Sequence, residues 1–137
     1  MDDSRTYSLN EILAKTHALH ELFDYAGNSE DKANWLMCAL DRLVHISDRG
    51  HGWLIVDKLV FHLLRIGSGE YANYSYTDGE VYYLEEDVHM PRFLAVLDAW
   101  DLDYQVASVC LDSDFPKDSR PSFSRIHYPP VVSHLRD

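Results

Sequence analysis

The spacing of apolar residues changes at Gly67-Ser68-Gly69, and this change constrains the fold of the 137-residue chain more than any other feature. Before it, apolar residues recur every three or four positions, as in helices that bury one face. After it, aromatic and polar residues alternate, as in half-buried strands. The sequence therefore predicts an α+β fold in a single domain, residues 1–137, in which a helical part at 9–66 precedes an acidic, strand-containing part at 70–112.

Three helices are predicted in the helical part. Ser8-Leu9-Asn10-Glu11 is a capping box, so we expect the first helix at about residues 9–25. Asn28 offers the cap of a second helix, which the apolar stripe extends to about residue 46. Residues 53–66 are the most apolar segment, and their polar members fall on one narrow stripe of a helix. We therefore expect a third, largely buried central helix there.

A ββαβ unit is predicted for the acidic part. Asp78-Gly79 lies in an alternating aromatic segment, which is typical of a type I′ hairpin and would place Tyr76 opposite Val81 and Tyr74 opposite Tyr83. Met90-Pro91 favours the start of a fourth helix. Residues 104–111 alternate and are β-branched, so we expect a third strand that pairs with the hairpin.

Residues 113–137 are predicted to form an irregular tail that wraps the domain. Proline rules out a long helix or strand there, and the tail contains Pro116, Pro121, Pro129 and Pro130. Apolar side chains along the same segment favour packing onto the domain, and they are Phe115, Phe123, Ile126 and Tyr128.

Negative charge is concentrated in residues 70–118. This stretch contains twelve Asp or Glu and two basic residues, a net charge of −10 out of −11 for the whole chain. Several of the acids flank aromatic residues, and aromatic anchors with charged neighbours are typical of protein interfaces. We therefore predict a partner-binding surface composed of Tyr74, Tyr76, Glu80, Glu85, Glu86, Asp87, Asp98, Asp101, Asp103, Asp112 and Asp114.

Several function classes are disfavoured by the sequence. It contains no phosphate-binding loop and no Gly-x-Ser-x-Gly motif, and Cys38 and Cys110 lie in apolar surroundings where we expect them to be buried. The basic residues are few and dispersed, which argues against direct nucleic-acid binding. No apolar run is long enough to cross a membrane, and the N-terminus resembles no targeting segment. We expect a protein of the bacterial or host-cell cytosol without cofactor, metal or catalytic residues.

Histidines leave an alternative function open. His17 and His20 can share one face of a helix as part of a metal site. His45 and His51 flank a glycine-containing turn and could act as an acid–base pair. A histidine-based metal protein or small enzyme is therefore the alternative, and a structural subunit of an oligomeric assembly is a second one.

Size, acidity, α+β character and the lack of catalytic motifs are similar to those of two groups of inhibitors. One group comprises phage inhibitors of bacterial defence nucleases, including anti-CRISPR proteins and other DNA mimics. The other comprises immunity proteins that neutralise nuclease toxins. The likeness implies a non-enzymatic binding protein, monomeric or homodimeric, that acts in host–virus or toxin conflict. Its partner would be a basic nuclease or a CRISPR effector complex, whose nucleic-acid-binding surface it occludes.

Overall fold

The computed structural model describes residues 9–48, 50–72, 74–110 and 124–125. The described helices are α1 (Leu9–Leu22), α2 (Ser29–Leu40), α3 (Lys58–Leu64) and α4 (His89–Ala99). The described strands are β1 (Leu43–Ser47), β2 (Gly52–Asp57), β3 (Tyr76–Thr77), β4 (Val81–Glu85), β5 (Val106–Cys110) and β6 (Ser124–Arg125). None of the described helices is long and apolar enough to cross a membrane.

The six strands form one mixed sheet in the order β5-β1-β2-β4-β3-β6. Strands β1 and β5 pair in parallel, and the other neighbours pair antiparallel. The parallel pair requires a crossover connection, which α4 provides between β4 and β5. All six residues of β2 are buried, so this strand lies at the centre of the fold.

The core occupies both faces of the sheet. On one face, Leu54, Val56 and Leu84 pack in a cluster with side chains of α2, α3 and α4. On the other face, Trp53, Ile55 and Tyr83 pack in a second cluster with Ile12 of α1. Successive residues of a strand point to opposite faces, so the apolar run at the start of β2 supplies both clusters.

The predicted second and third helices are each wrong in part. The second helix ends at Leu40, and Leu43–Ser47 forms β1. The first half of the predicted third helix is β2, and only Lys58–Leu64 is helical. A short apolar run has the same composition in a strand buried on both faces as in a buried helix. The chain changes from strand to helix at Asp57. Its carboxylate accepts a hydrogen bond from the amide of Leu59 (2.8 Å) and caps α3.

The predicted hairpin is present as β3 and β4, but its turn lies one residue further along the chain. Tyr76 pairs with Tyr83, not with Val81, and Tyr74 lies outside the strand. Gly79 has a positive φ of 103°, whereas Glu80 does not share it, so the turn is not type I′. The Asp78 carboxylate accepts hydrogen bonds from the amides of Glu80 (2.9 Å) and Val81 (3.0 Å), which fixes this register.

The predicted third strand is confirmed as β5, but its pairing was predicted wrongly. It lies beside β1, three strand positions from β4, because α4 crosses one face of the sheet before β5 begins. The predicted fourth helix is confirmed as α4, with Pro91 in its first turn. The predicted wrapping tail lies outside the described residues, apart from the two residues of β6, which pair with β3.

Candidate functional site

The chain leaves α4 through a tightly hydrogen-bonded turn. The amide of Leu102 donates to the carbonyl of Leu97 (2.9 Å), and the amide of Asp101 donates to the carbonyl of Asp98 (3.0 Å). This pair of bonds is the Schellman motif that commonly ends helices. Leu97 is fully buried, and Leu102 packs against the same apolar cluster. The amide of Gln105 donates to the carbonyl of Leu40 (3.0 Å), which fixes the other end of the segment.

This anchored segment, residues 98–104, presents an exposed tryptophan among carboxylates. We call it the α4–β5 loop, and it includes the last two residues of α4, Asp98 and Ala99. The side chain of Trp100 is 58% exposed, and Asp98, Asp101 and Asp103 are all exposed. Partial burial raises the pKa of Tyr104, and the neighbouring Asp98 carboxylate raises it further and is hydrogen-bonded to the Tyr104 hydroxyl. Because backbone hydrogen bonds and Leu102 hold the loop, Trp100 and the carboxylates of Asp101 and Asp103 are available to a partner.

The sequence at this loop works against stability in two ways. Asp101 has a φ of 58°, a left-handed conformation that glycine adopts most easily. Its carboxylate directly follows the C-terminus of α4, and Asp98 lies in the last turn of that helix, where the helix dipole disfavours negative charge. A helix end optimised for stability would carry glycine and basic residues here. The departure suggests a role other than stability, since local rules tend to be broken at functional sites.

Helix α3 provides an internal comparison, because it ends in the same motif. The amide of Ile66 donates to the carbonyl of Phe61 (2.9 Å), and Arg65 has a φ of 59°. The residue in the left-handed conformation is therefore a cation, which the helix C-terminus favours. The α4 terminus differs from the α3 terminus in the sign of this charge.

The predicted acids at the ends of β4 lie apart from one another. Glu80 is exposed in the hairpin turn, while Glu85, Glu86 and Asp87 lie at the other end of the strand, and five residue steps along it separate Glu80 from Glu85 by about 17 Å. The Glu85 carboxylate accepts hydrogen bonds from the amides of Asp87 and Val88, both at 2.8 Å, and so shapes the approach to α4. Asp87 is exposed.

The Glu86 carboxylate lies within hydrogen-bond distance of the His45 Nε2, at 3.1 Å. A Cβ atom at Gly52 would lie 2.5 Å from the Glu86 Oε1 and 2.6 Å from the His45 Nε2, so a larger residue would push these two side-chain ends apart. The glycine at the start of β2 is thus explained by a close approach of two side chains.

Helix α4, which follows β4 in the chain, separates the acids at the end of β4 from the α4–β5 loop. Helix α4 has eleven residues and is therefore about 16 Å long, with Glu85–Asp87 before its start and Asp98 near its end. The predicted acids thus occupy three places, namely the hairpin turn, the exit of β4 and the α4–β5 loop. Asp112 and Asp114 lie outside the described residues.

The two predicted tyrosines differ in exposure. Tyr74 is 59% exposed, with its ring 5.7 Å from that of His89. Tyr76 is 9% exposed and packs edge-on against Trp53 at 5.4 Å, so its ring is not available at the surface.

Cys38 and Cys110 were predicted to be buried, but both are exposed. Cys38 points away from the buried stripe of α2, and Cys110 ends a strand at the edge of the sheet.

The histidines pair with carboxylates of distant elements, which the sequence analysis missed. His17 lies 2.9 Å from Asp78, and His20 lies 2.9 Å from Asp57, so two side chains of α1 contact the end of the sheet. Burial raises the pKa of Asp57, while hydrogen bonds from Leu59 and His20 oppose that rise. The spacing of His17 and His20 was a signal of a shared helix face, but their partners become neighbours only through the fold.

The predicted histidine pairs do not come together as a metal centre. In the described ranges, no group of three or more His, Cys, Asp or Glu side chains is arranged to hold a metal ion. His45 contacts Glu86, whereas His51 lies 3.8 Å from Asp48 and stacks on Trp53 at 6.2 Å. Where both partners belong to the described residues, each pairing of a carboxylate with a basic side chain involves a histidine. The carboxylates of the α4–β5 loop therefore have no lysine or arginine partner there.

No protein-family model matches this chain, and no match is found among curated proteins or solved structures.

Proposed function

We propose that this protein is a small, acidic, non-enzymatic binding protein that occludes a basic nucleic-acid-binding surface of a partner. The observation that carries the proposal is the α4–β5 loop, where the exposed Trp100 is flanked in sequence by the exposed Asp98, Asp101 and Asp103 on a hydrogen-bonded framework. Tryptophan is among the residues that contribute most to binding energy at protein interfaces. A fixed framework reduces the conformational entropy that is lost on binding.

Carboxylates at this loop can replace the phosphates of a nucleic acid. Arginine and lysine side chains that bind phosphate oxygens also bind carboxylate oxygens, and arginine does so with two parallel hydrogen bonds. The net charge of −11 adds a long-range field that speeds encounter with a basic protein. Nucleic acid is repelled by the same field, which supports a protein partner.

The partner that this chemistry fits is a nuclease or a CRISPR-type effector complex. The protein would act in a bacterial or host-cell cytosol, either as a phage-encoded DNA mimic of the anti-CRISPR type or as an immunity protein against a nuclease toxin. In either role the bound protein would block a cationic groove of its target, which needs no catalytic residue.

The proposal is tested with a variant that neutralises the loop without changing its shape. Asp98→Asn, Asp101→Asn and Asp103→Asn are combined, since asparagine tolerates the left-handed conformation at position 101. A partner is captured from bacterial lysate at low salt and identified by mass spectrometry, and its association rate is then measured by surface plasmon resonance. We expect the triple variant to associate about tenfold more slowly, with most of the difference lost at high salt.

A matched control removes the same charge elsewhere. Glu21, Asp24 and Glu30 are exposed on the N-terminal helical segments, and Glu21→Gln, Asp24→Asn and Glu30→Gln together also remove three charges. If this control slowed association as much as the loop variant, net charge alone would explain binding and the assignment of the surface would be wrong. Trp100→Ala is expected to raise the dissociation rate, and an unchanged rate would remove Trp100 from the interface.

A further inference from the structure

A cleft of about 910 Å³ lies between α1 and the sheet. Most of its described lining is apolar, and it includes Ile12 and Leu19 of α1, Val44 of β1, Ile55 of β2 and Val109 of β5. Small-molecule sites are typically apolar clefts of roughly 300–1,000 Å³ with a few polar groups. Residues 98–104, which form the α4–β5 loop, are not among the lining residues. The cleft therefore has the size and the lining of a ligand site that is separate from the α4–β5 loop.

Helix α1 is attached at three points to the sheet and to α2, so its distance from the sheet is set by the fold. Ile12 is buried in the apolar cluster on this face of the sheet. The carbonyl of Leu19 accepts a hydrogen bond from the indole Nε1 of Trp35 in α2 (2.8 Å). His20 lies 2.9 Å from Asp57 at the end of β2. A cleft with such fixed walls loses little conformational entropy when a ligand binds.

The charged side chains that line the cleft balance one another. Four of them are exposed and form its rim, namely Glu11 and Lys15 of α1 and Asp41 and Arg42 between α2 and β1. The rim thus carries two acids and two bases, and a fifth charged residue of the described lining, Asp57, is buried. An anionic ligand would be attracted by the two bases and repelled by the two acids, and a cationic ligand would meet the reverse. The apolar interior disfavours both, because moving a charge out of water is costly.

The polar side chains further inside the cleft already have partners within the protein. The Thr16 hydroxyl donates a hydrogen bond to the carbonyl of Ile12 (3.0 Å). The Asp57 carboxylate accepts a hydrogen bond from the amide of Leu59 (2.8 Å) and lies 2.9 Å from the His20 Nδ1. A polar ligand would therefore gain little from these groups, whereas an apolar ligand gains by leaving water.

We propose that this cleft is a binding site for an uncharged, largely apolar small molecule. The apolar body of the ligand would pack between α1 and the strands, and a single polar group such as a hydroxyl would lie near Gln105 and Ser108, which are exposed members of the lining. The inference goes beyond the proposed function and does not depend on it, because the α4–β5 loop does not line the cleft.

The experiment compares three eight-carbon probes that differ in charge, which are 1-octanol, octanoate and octylammonium. Each is titrated at neutral pH into the 137-residue protein, in moderate salt that screens the net charge of −11. Methyl signals of Ile12, Val44 and Ile55 are followed by NMR. We expect saturable shifts with 1-octanol and binding about tenfold tighter than that of either charged probe. Unchanged lining signals up to the solubility limit of 1-octanol, or equally tight binding of a charged probe, would overturn the proposal.

A variant pair on α1 tests the location. Ala18 and Ala14 are both exposed on this helix, but Ala18 lines the cleft and Ala14 is not part of the lining. A tryptophan at position 18 would occupy part of the cleft. We therefore expect Ala18→Trp to weaken 1-octanol binding about tenfold and Ala14→Trp to leave it unchanged. Equal effects of the two variants would contradict the location.

A second variant tests the ligand class. Lys15→Gln and Arg42→Gln are combined, which removes both bases from the rim, and we expect the affinity for 1-octanol to stay the same. A loss of affinity in this variant would show that the bases hold the ligand, and an uncharged ligand would then be the wrong class. Affinity for 1-octanol that falls as the protein concentration rises would also contradict the proposal, because a second copy of the chain would then occupy the cleft.

Discussion

Asp101 is the residue at which local stability and the proposed function diverge most clearly. Its left-handed backbone conformation is required by the Schellman motif at the end of α4, and Arg65 holds the equivalent position at the end of α3. Both residues carry the conformational cost, but the cation at position 65 is favoured by the helix dipole and the anion at position 101 is not. The two positions therefore contrast the two charges, while the left-handed conformation itself costs arginine more than aspartate.

Asp101→Gly is expected to stabilise the protein. Glycine removes the left-handed strain and the unfavourable charge, so we expect the free energy of unfolding to rise by about 0.5–1 kcal/mol. Arg65→Gly should give a smaller gain, because it loses a favourable charge. Chemical denaturation of both variants measures the difference, and a gain at position 65 equal to that at position 101 would contradict the electrostatic part. Asp101→Gly should also slow association with the captured partner.

At the scale of the elements, the sequence predicted those whose signals are local. The capping box at Ser8 and the Asp78-Gly79 turn each identified an element that the structure contains. Strand β2 was missed, because a strand buried on both faces lacks the alternation that marks a half-buried one. The turn of the hairpin was misplaced by one residue, because the side-chain hydrogen bonds of Asp78 decide its position.

The candidate site was predictable in composition but not in arrangement. Asp98, Asp101 and Asp103 were named from their neighbouring aromatic residues, and the structure places all three on one exposed loop. The left-handed conformation of Asp101 was not foreseeable, since no glycine follows α4 to signal it. The edge position of β5 also depends on a partner strand, β1, about 60 residues away in the sequence, and no local pattern encodes such a pairing.

Asp57 connects three elements, because it ends β2, caps α3 and binds His20 of α1. We expect Asp57→Ala to destabilise the protein by about 1 kcal/mol more than Asp57→Asn, since asparagine caps a helix as well as aspartate does. Urea unfolding at neutral pH measures both variants. Asn28→Ala, at the N-cap of α2, provides the cost of losing a cap alone. If Asp57→Asn proved as costly as Asp57→Ala, the contact of the Asp57 carboxylate with His20, and not the cap, would be the main contribution.

At the scale of the whole molecule, the charge distribution predicts how salt affects stability. The net charge is −11, and in the described part of the chain carboxylates pair with histidines and not with lysines or arginines. Repulsion between carboxylates therefore opposes the compact state, and dissolved ions weaken it. We expect the melting temperature to rise when sodium chloride is added from low to moderate concentration at neutral pH. A fall would indicate that the histidine pairs outweigh the repulsion.

The parallel pairing of β1 with β5 has a consequence for the order in which the chain folds. Strand β1 meets β2, and β3 meets β4, through short connections, whereas β5 must wait until α4 has crossed the sheet. Contacts between distant parts of a sequence close loops at an entropic cost, so they form late in folding. The strand that completes one side of the sheet is therefore expected to join it last and to open first. During synthesis, β1 would itself be an open edge until β5 leaves the ribosome.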